Sequence, residues 1–244
     1  MSHAFPLLRK TIDLPSNSDT LLPMTAAAHP DRKALARIGT AVRERLATHP
    51  RVRRMPEDRA EIYAIADFLP ATACAHLMAM IDAVACPSNL VDNALWPNYR
   101  TSYSGDINEA DACVRDLEAR LTALTGIASA CGESAQGQRY QCGQYFDEHC
   151  DWFDTSAGYW PDERRCGGQR SWTAMVYLNS VDEGGMTDFT RVALTVPPCA
   201  GTLLLWNNAL PDGTPNPWTM HAARPVVRGV KYVVTKWFRT RTWQ

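Results

Sequence analysis

Residues 138–151 read Gln-Arg-Tyr-Gln-Cys-Gly-Gln-Tyr-Phe-Asp-Glu-His-Cys-Asp. The first nine, Gln138–Phe146, predict a β-strand, and the last three place a histidine and an aspartate two residues apart. On an extended backbone such residues project to one face, so one imidazole nitrogen of His149 and one carboxylate oxygen of Asp151 can reach a single ion. Alone, the triplet is equally consistent with packed histidines and a turn-initiating aspartate. Further strand-like runs follow, separated by Gly, Pro, Asn and Asp: Ser171–Leu178, Arg191–Val196, Thr202–Asn207, His221–Val227 and Lys231–Arg239. Many short strands with turn signals between them predict a sandwich or barrel.

His221 is the only other histidine in this β half. His3, His29 and His49 lie near the N-terminus, and His76 falls in a helical pattern. Two imidazoles and one carboxylate form a facial triad that leaves adjacent coordination positions open, the arrangement of non-haem Fe(II) oxygenases. Lys231 follows across a turn expected at Arg228-Gly229, which lets both residues line one mouth of a barrel. A buried lysine requires an anionic partner, and the distal carboxylate of a dicarboxylate co-substrate can supply it. Lys236 is an odd number of residues away and faces the other side.

Before residue 126 the periodicity is helical. Asp31 is placed to cap a helix carrying Leu35, Ile38, Val42 and Leu46. A short strand spans Ile62–Phe68. A second helix starts at Pro70 with the stripe Leu77, Met78, Ile81 and Val84. A third, from about Glu109, carries Val114, Leu117, Leu121 and Leu124, with Gly126 at its C-terminal cap. Residues 1 to about 28 read as irregular, with Pro6, Pro15 and Pro23. Two regions are expected: residues 1–55, an extension with one amphipathic helix packed on the rest, and 56–244, the main domain. The main domain would hold helices over 70–125 and the β half over 138–239. The chain is mainly β with flanking α-helices.

Composition narrows the function. Of 244 residues, 45% are hydrophobic and 21% charged, with a net charge of −1, so electrostatic capture of nucleic acid is not expected. No run of about 18 apolar residues predicts a membrane span. The eight cysteines show no CxxC spacing, which favours free thiols in a reducing, cytoplasmic setting. Zinc ligation by Cys142, Cys150 and Cys166 is a minor alternative, since Cys150 alternates out of phase with His149 and Asp151.

Several stretches in register resemble the prolyl 4-hydroxylase branch of the 2-oxoglutarate/Fe(II) dioxygenases. They are Arg139-Tyr140, Gly143-Gln144-Tyr145-Phe146, His149-Cys150-Asp151, Gly167-Gly168-Gln169-Arg170, Tyr177-Leu178-Asn179, Glu183 to Phe189, and Asp212-Gly213-Thr214 through His221, Pro225-Val226, Gly229 and Lys231 to Trp237. Phe68-Leu69-Pro70 and Arg100-Thr101-Ser102 also resemble it, so the likeness covers roughly residues 60 to 239. The resemblance implies a double-stranded β-helix, or jelly roll. It implies iron on His149, Asp151 and His221, the 2-oxoglutarate carboxylate on Lys231, and a co-substrate pocket lined by Tyr140, Tyr177 and Thr187. Arg100 and Arg170 resemble peptide-groove residues, and Trp237 an aromatic wall of the site. Departures are Arg224, where the family commonly has cysteine, and the Pro-rich stretch from Asn207 to Met220.

The expected activity is hydroxylation of an unactivated C–H bond with Fe(II), 2-oxoglutarate and O2, and ascorbate as a candidate reductant. The expected substrate is a prolyl residue in a peptide or protein, with Tyr99, Trp160 and Trp218 in loops that can stack on a proline ring. The alternatives are a hydroxylase of a free amino acid or small metabolite, and a non-catalytic jelly-roll binding module.

Overall fold

A computed structural model describes residues 8–9, 30–88 and 99–244. The irregular stretch expected for residues 1 to about 28 lies outside these, apart from Leu8–Arg9, a short strand. The helices are α1 (Arg32–Thr48), α2 (Ala71–Val84), α3 (Ala112–Thr125) and a short α4 (Trp160–Arg165). The principal strands are β1 (Ile62–Ile65), β2 (Tyr103–Asp106), β3 (Gln136–Tyr140), β4 (Phe146–His149) and β5 (Arg170–Tyr177). Further along come β6 (Thr187–Phe189), β7 (Leu194–Val196), β8 (Leu203–Asn207), β9 (His221–Ala223) and β10 (Lys231–Arg239).

Two principal antiparallel sheets result, beside a two-stranded ribbon of Glu183–Gly184 with Val226–Arg228. The larger runs β1-β8-β5-β10-β3-β2, extended at its ends by Arg53–Arg54 and Cys86–Pro87. The smaller runs β7-β6-β9-β4, with Leu8–Arg9 on the outer edge of β7. Side chains alternate across the large sheet. Trp172, Ala174 and Val176 of β5, Leu203 and Leu205 of β8 and Val234 and Phe238 of β10 meet the helices. There they join Leu77, Ile81, Val114, Leu117 and Leu121. The opposite phase, Met175, Tyr177, Leu204, Trp206 and Val233, meets Phe189, Leu194 and Val196 of the small sheet. Both faces are buried, so these strands read as nearly continuous apolar runs.

The predicted strand Gln138–Phe146 is two strands in different sheets. Gly143, at φ 80°, makes the left-handed turn that carries the chain from one sheet to the other. The run His221–Val227 also divides, at Arg224-Pro225, because proline offers no N–H to continue the ladder. Arg191–Val196 starts as a 3-10 turn, and only Leu194–Val196 pairs. Two expected helix starts shift: Pro70 precedes α2, and Asp111 caps α3 through the Cys113 and Val114 N–H groups. The buried stripe of α2 is Cys74, Leu77 and Ile81, whereas Val84 is exposed. Gly126 closes α3 in the left-handed conformation, as its position predicted.

Lys236 and Lys231 point to opposite faces. Lys236 lies on the helical side, where its Nζ is 2.5 Å from Glu118 Oε1 on α3. Removing one partner of a buried pair strands the other charge, and Glu118 is mostly buried. Lys236→Ala is therefore expected to lower unfolding free energy by about 2–4 kcal/mol, as measured by urea titration of tryptophan fluorescence. The requirement for the co-substrate that the resemblance implies should match that of the unaltered chain. A raised co-substrate requirement at unchanged stability would contradict this placement.

Candidate metal and co-substrate site

His149 closes β4 and His221 opens β9, and the two are register partners across the antiparallel ladder. Pairing alone therefore brings their rings together, with centroids 4.2 Å apart. Asp151 lies two residues past His149 and turns inward, 5% exposed. His149 Nε2 stands 3.9 Å from Asp151 Oδ1, and His221 Nε2 3.9 Å from Asp151 Oδ2. One ligand atom from each residue falls within 4.8 Å of the others. Among the described residues no other group of three His, Cys, Asp or Glu side chains converges in this way.

The supporting contacts suit a metal. His149 Nδ1–H donates to the Asp147 carbonyl at 2.8 Å, and His221 Nδ1–H to the Thr219 carbonyl at 2.9 Å. Both rings are thus held in the tautomer whose Nε2 lone pair faces inward. Phe146 stacks on His149 at 3.7 Å, and Trp206 and Phe189 flank His221. Burial, with His221 adding to it, pushes the His149 pKa down to about 3, which keeps the imidazole neutral and able to ligate. Burial opposes ionisation of Asp151, but the adjacent His221 and His149, the Arg170 guanidinium and the Thr173 hydroxyl outweigh it. Its pKa falls below the ordinary carboxylate value.

The sequence did not point to Thr173 or Asn208. Thr173 Oγ1 donates to Asp151 Oδ2 at 2.7 Å and accepts from Asn208 Nδ2 at 2.9 Å. This chain fixes the carboxylate rotamer from β5 and from the residue after β8. The available signal was a threonine at an inward-facing position in the middle of a buried strand.

Lys231 sits deeper between the sheets. It is 1% exposed, and among the described residues its ammonium has no ion-pair or hydrogen-bond partner. Ladder register places Tyr140 directly opposite it and Tyr177 opposite Val233. Lys231 Nζ is 5.2 Å from the Tyr140 ring centroid and 5.6 Å from that of Tyr177. The Tyr177 hydroxyl donates to Thr187 Oγ1 at 2.6 Å, and the Tyr140 hydroxyl to Gln138 Oε1 at 2.8 Å. The three residues expected to line a co-substrate pocket therefore gather around this buried cation.

The residues expected at a peptide groove are more engaged. Arg100 lies over the Phe146 ring at 4.8 Å and donates to Ser102 Oγ and Gln136 Oε1. Arg170 makes two hydrogen bonds to Glu133, at 2.6 and 2.7 Å, and its Nη1 reaches the Asp151 carbonyl at 3.4 Å. Its guanidinium lies against Phe153 and Trp237. Trp160 is buried at the start of α4, and Trp218 carries Arg59 over its ring. Tyr99 donates its hydroxyl to the Glu148 carbonyl. The cysteines are free thiols. Cys150 is half-buried with its Sγ 3.9 Å from Met220 Sδ, away from the three ligands.

Comparison with known proteins gives a consistent outcome. The 2OG-Fe(II) oxygenase superfamily description matches residues 135–239, from β3 to the end of β10. Probable prolyl 4-hydroxylase 8 of Arabidopsis thaliana is 31% identical over 206 residues, 75% of this chain and 69% of its own. Prolyl 4-hydroxylase 5 of the same plant is also 31% identical, over 75% of this chain and 68% of its own. The viral collagen prolyl hydroxylase of Paramecium bursaria Chlorella virus-1, solved with 2-oxoglutarate, superposes with a TM-score of 0.58 at 26% identity. That match covers 73% of this chain and 95% of the viral one. A Pseudomonas putida prolyl-4-hydroxylase shares the fold, with a TM-score of 0.54 at 20% identity, covering 84% of this chain and 99% of its own.

Burial pushes the Lys231 ammonium down to a pKa of about 7. An unfolded lysine titrates near 10.4, so between about pH 7 and 10 the unfolded chain holds a proton that the native chain does not. Stability without co-substrate should rise with pH across that window. Lys231→Met is expected to be more stable than the unaltered chain at pH 6–7, by about 1–4 kcal/mol. That advantage should shrink towards pH 10. Urea unfolding at several pH values measures it, and a constant or absent advantage would contradict the assignment of an unpaired interior ammonium.

Proposed function

The chain belongs to the prolyl 4-hydroxylase-like branch of the 2-oxoglutarate/Fe(II)-dependent oxygenases, and on that premise we propose that it hydroxylates a prolyl residue held in a peptide or protein. The observation that carries the reading is the presence of two features in one interior: a convergent N,N,O donor set, and a buried ammonium with no ion-pair partner among the described residues.

The residues fit the groups this chemistry requires. His149 Nε2, His221 Nε2 and a carboxylate oxygen of Asp151 would hold Fe(II), and Lys231 would pair with the distal carboxylate of 2-oxoglutarate. Tyr177 and Thr187 would supply hydroxyls beside it. Bound iron supplies the oxidative decarboxylation of 2-oxoglutarate by O2, which yields succinate and CO2 and drives hydroxylation of the C–H bond. The protein's own part is positional. Thr173 and Asn208 hold the Asp151 carboxylate in one rotamer. Phe146, Phe189 and Trp206 pack around the imidazoles, and Leu204 and Val233 keep the interior dry.

A peptide suits this interior better than a free amino acid. A free amino acid presents an ammonium that needs an anionic partner. The buried carboxylates near the site are already engaged: Asp151 in the donor set, Glu133 by Arg170 and Arg239, and Asp188 by Arg224 and Thr195. A peptide backbone is neutral and asks for donors. Arg100, planar and multi-donor, is suited to carbonyl oxygens.

Succinate release, measured with short prolyl peptides and with free L-proline, tests the reading. Peptides are expected to stimulate it well above the substrate-free rate, and free L-proline is not. Arg100→Ala should cut the peptide-stimulated rate while slow, uncoupled consumption of 2-oxoglutarate persists. Efficient turnover of free L-proline with no response to any peptide would overturn the substrate and leave the iron chemistry in place.

A further inference from the structure

Asp31 was expected to cap α1, and it does not. Although it immediately precedes that helix, its side chain makes no cap hydrogen bond. The carboxylate turns away and is 6% exposed. It accepts the Gln169 backbone N–H at 2.8 Å, the Thr240 hydroxyl at 3.1 Å and Arg241 Nη1–H at 2.7 Å. The contact is close enough to exclude a side chain opposite it. A Cβ on Gly168, which sits at φ +80°, would fall 2.4 Å from Asp31 Oδ2.

Gln169 passes the contact on. Its side-chain amide grips one backbone residue at both ends: Oε1 accepts the Phe153 N–H at 2.7 Å, and Nε2 donates to the Phe153 carbonyl at 2.8 Å. Phe153 is two residues from Asp151, and its ring lies under the guanidinium groups of Arg170 and Arg239. The next residue of the N-terminal segment, Arg32, holds a second loop. Its Nε donates to the Asp212 carbonyl at 3.0 Å and its Nη2 to Asp212 Oδ2 at 2.5 Å.

These two loops are continuous with the metal ligands. Residues 152–169 leave from Asp151, and residues 208–220 run into His221. Beside the ligands, Met220 at the end of the second loop has its Sδ 3.9 Å from Cys150 Sγ, between His149 and Asp151 in the chain. Residues 30–32 lie outside the stretch 135–239 that matches the oxygenase family. We infer that this segment is a clamp holding the two loops that flank the site in a substrate-accepting arrangement, with Asp31 as the positioning residue. A buried carboxylate with three donors from residues 169, 240 and 241 sets loop geometry without touching the donor set. Its loss is therefore felt by the substrate before the metal. The kinetic side of this inference rests on the peptide reading above; the structural side does not.

The test uses the full chain with Asp31→Ala and Asp31→Asn. Hydrogen exchange is followed at Phe153 and Gln169, together with iron stoichiometry, peptide-free 2-oxoglutarate consumption and the KM for a prolyl peptide. Asp31→Ala is expected to speed exchange at both amides and raise peptide KM about tenfold, equivalent to about 1.4 kcal/mol. Iron stoichiometry and peptide-free consumption should hold. Asp31→Asn keeps an acceptor for the Gln169 N–H and loses the charge facing Arg241, so it should fall between the two. It also remains informative if the alanine variant fails to fold. Unchanged exchange at Phe153, or a fall in iron stoichiometry parallel to the rise in KM, would overturn the clamp. If no peptide supports turnover in the unaltered chain, the substrate reading fails, and the exchange measurement still decides the clamp.

Discussion

A carboxylate buried like that of Asp151 needs positive charge or strong donors close by, because an isolated ion in a low-dielectric interior is far too costly. The site follows from meeting that need. Of the two imidazoles nearest Asp151, that of His221 is buried and that of His149 half-buried, and desolvation holds His149 neutral. The two rings contribute to the site through their nitrogens. What they offer is a pair of lone pairs, aimed inward because each Nδ1–H is committed to a backbone carbonyl. A divalent cation satisfies all three side chains together, and the Thr173 hydroxyl completes the carboxylate's hydrogen bonding.

Two sheets are needed to build this. The antiparallel pairing of β4 and β9 sets the two histidines opposite one another, while Thr173 and Lys231 come from the larger sheet facing them. The period-2 alternation of β10 separates its lysines. Lys231 enters the interior with Tyr140 across the ladder, and Lys236 is neutralised by Glu118 on the helical side. One strand thereby contributes an ion pair that stabilises the fold and a cation that destabilises it. On the proposed reading the second is the cation that the co-substrate carboxylate would neutralise, a place where stability yields to function.

The sequence was most informative where spacing alone determines geometry. His149 and Asp151 share a face because they are two residues apart on extended chain. Lys231 and Lys236 diverge because five is odd. Gly126 ends a helix because its apolar stripe stops there. The reading failed where the decisive partner lies far away in the chain. Asp31 resembles a helix cap, yet Gln169, Thr240 and Arg241 compete for its carboxylate more effectively than the first turn of α1. Gln138–Phe146 carries no local sign that Gly143 moves the chain into a second sheet. Arg170 was expected at an open groove, but Glu133, 37 positions earlier, engages two of its nitrogens. Thr173 and Asn208 escaped notice because their importance depends on facing Asp151 across the fold.

The central claim is that one chain holds one Fe(II) through His149, Asp151 and His221, with 2-oxoglutarate beside it. Anaerobic titration of the full chain with Fe(II) and 2-oxoglutarate, followed by the visible absorption that a 2-oxo acid chelated to Fe(II) produces, tests this most directly. The band is expected to saturate at about one iron per chain, matching the one convergent donor set among the described residues, and to be absent in His221→Ala. The same band at the same stoichiometry in His221→Ala, or none in the unaltered chain, would contradict it.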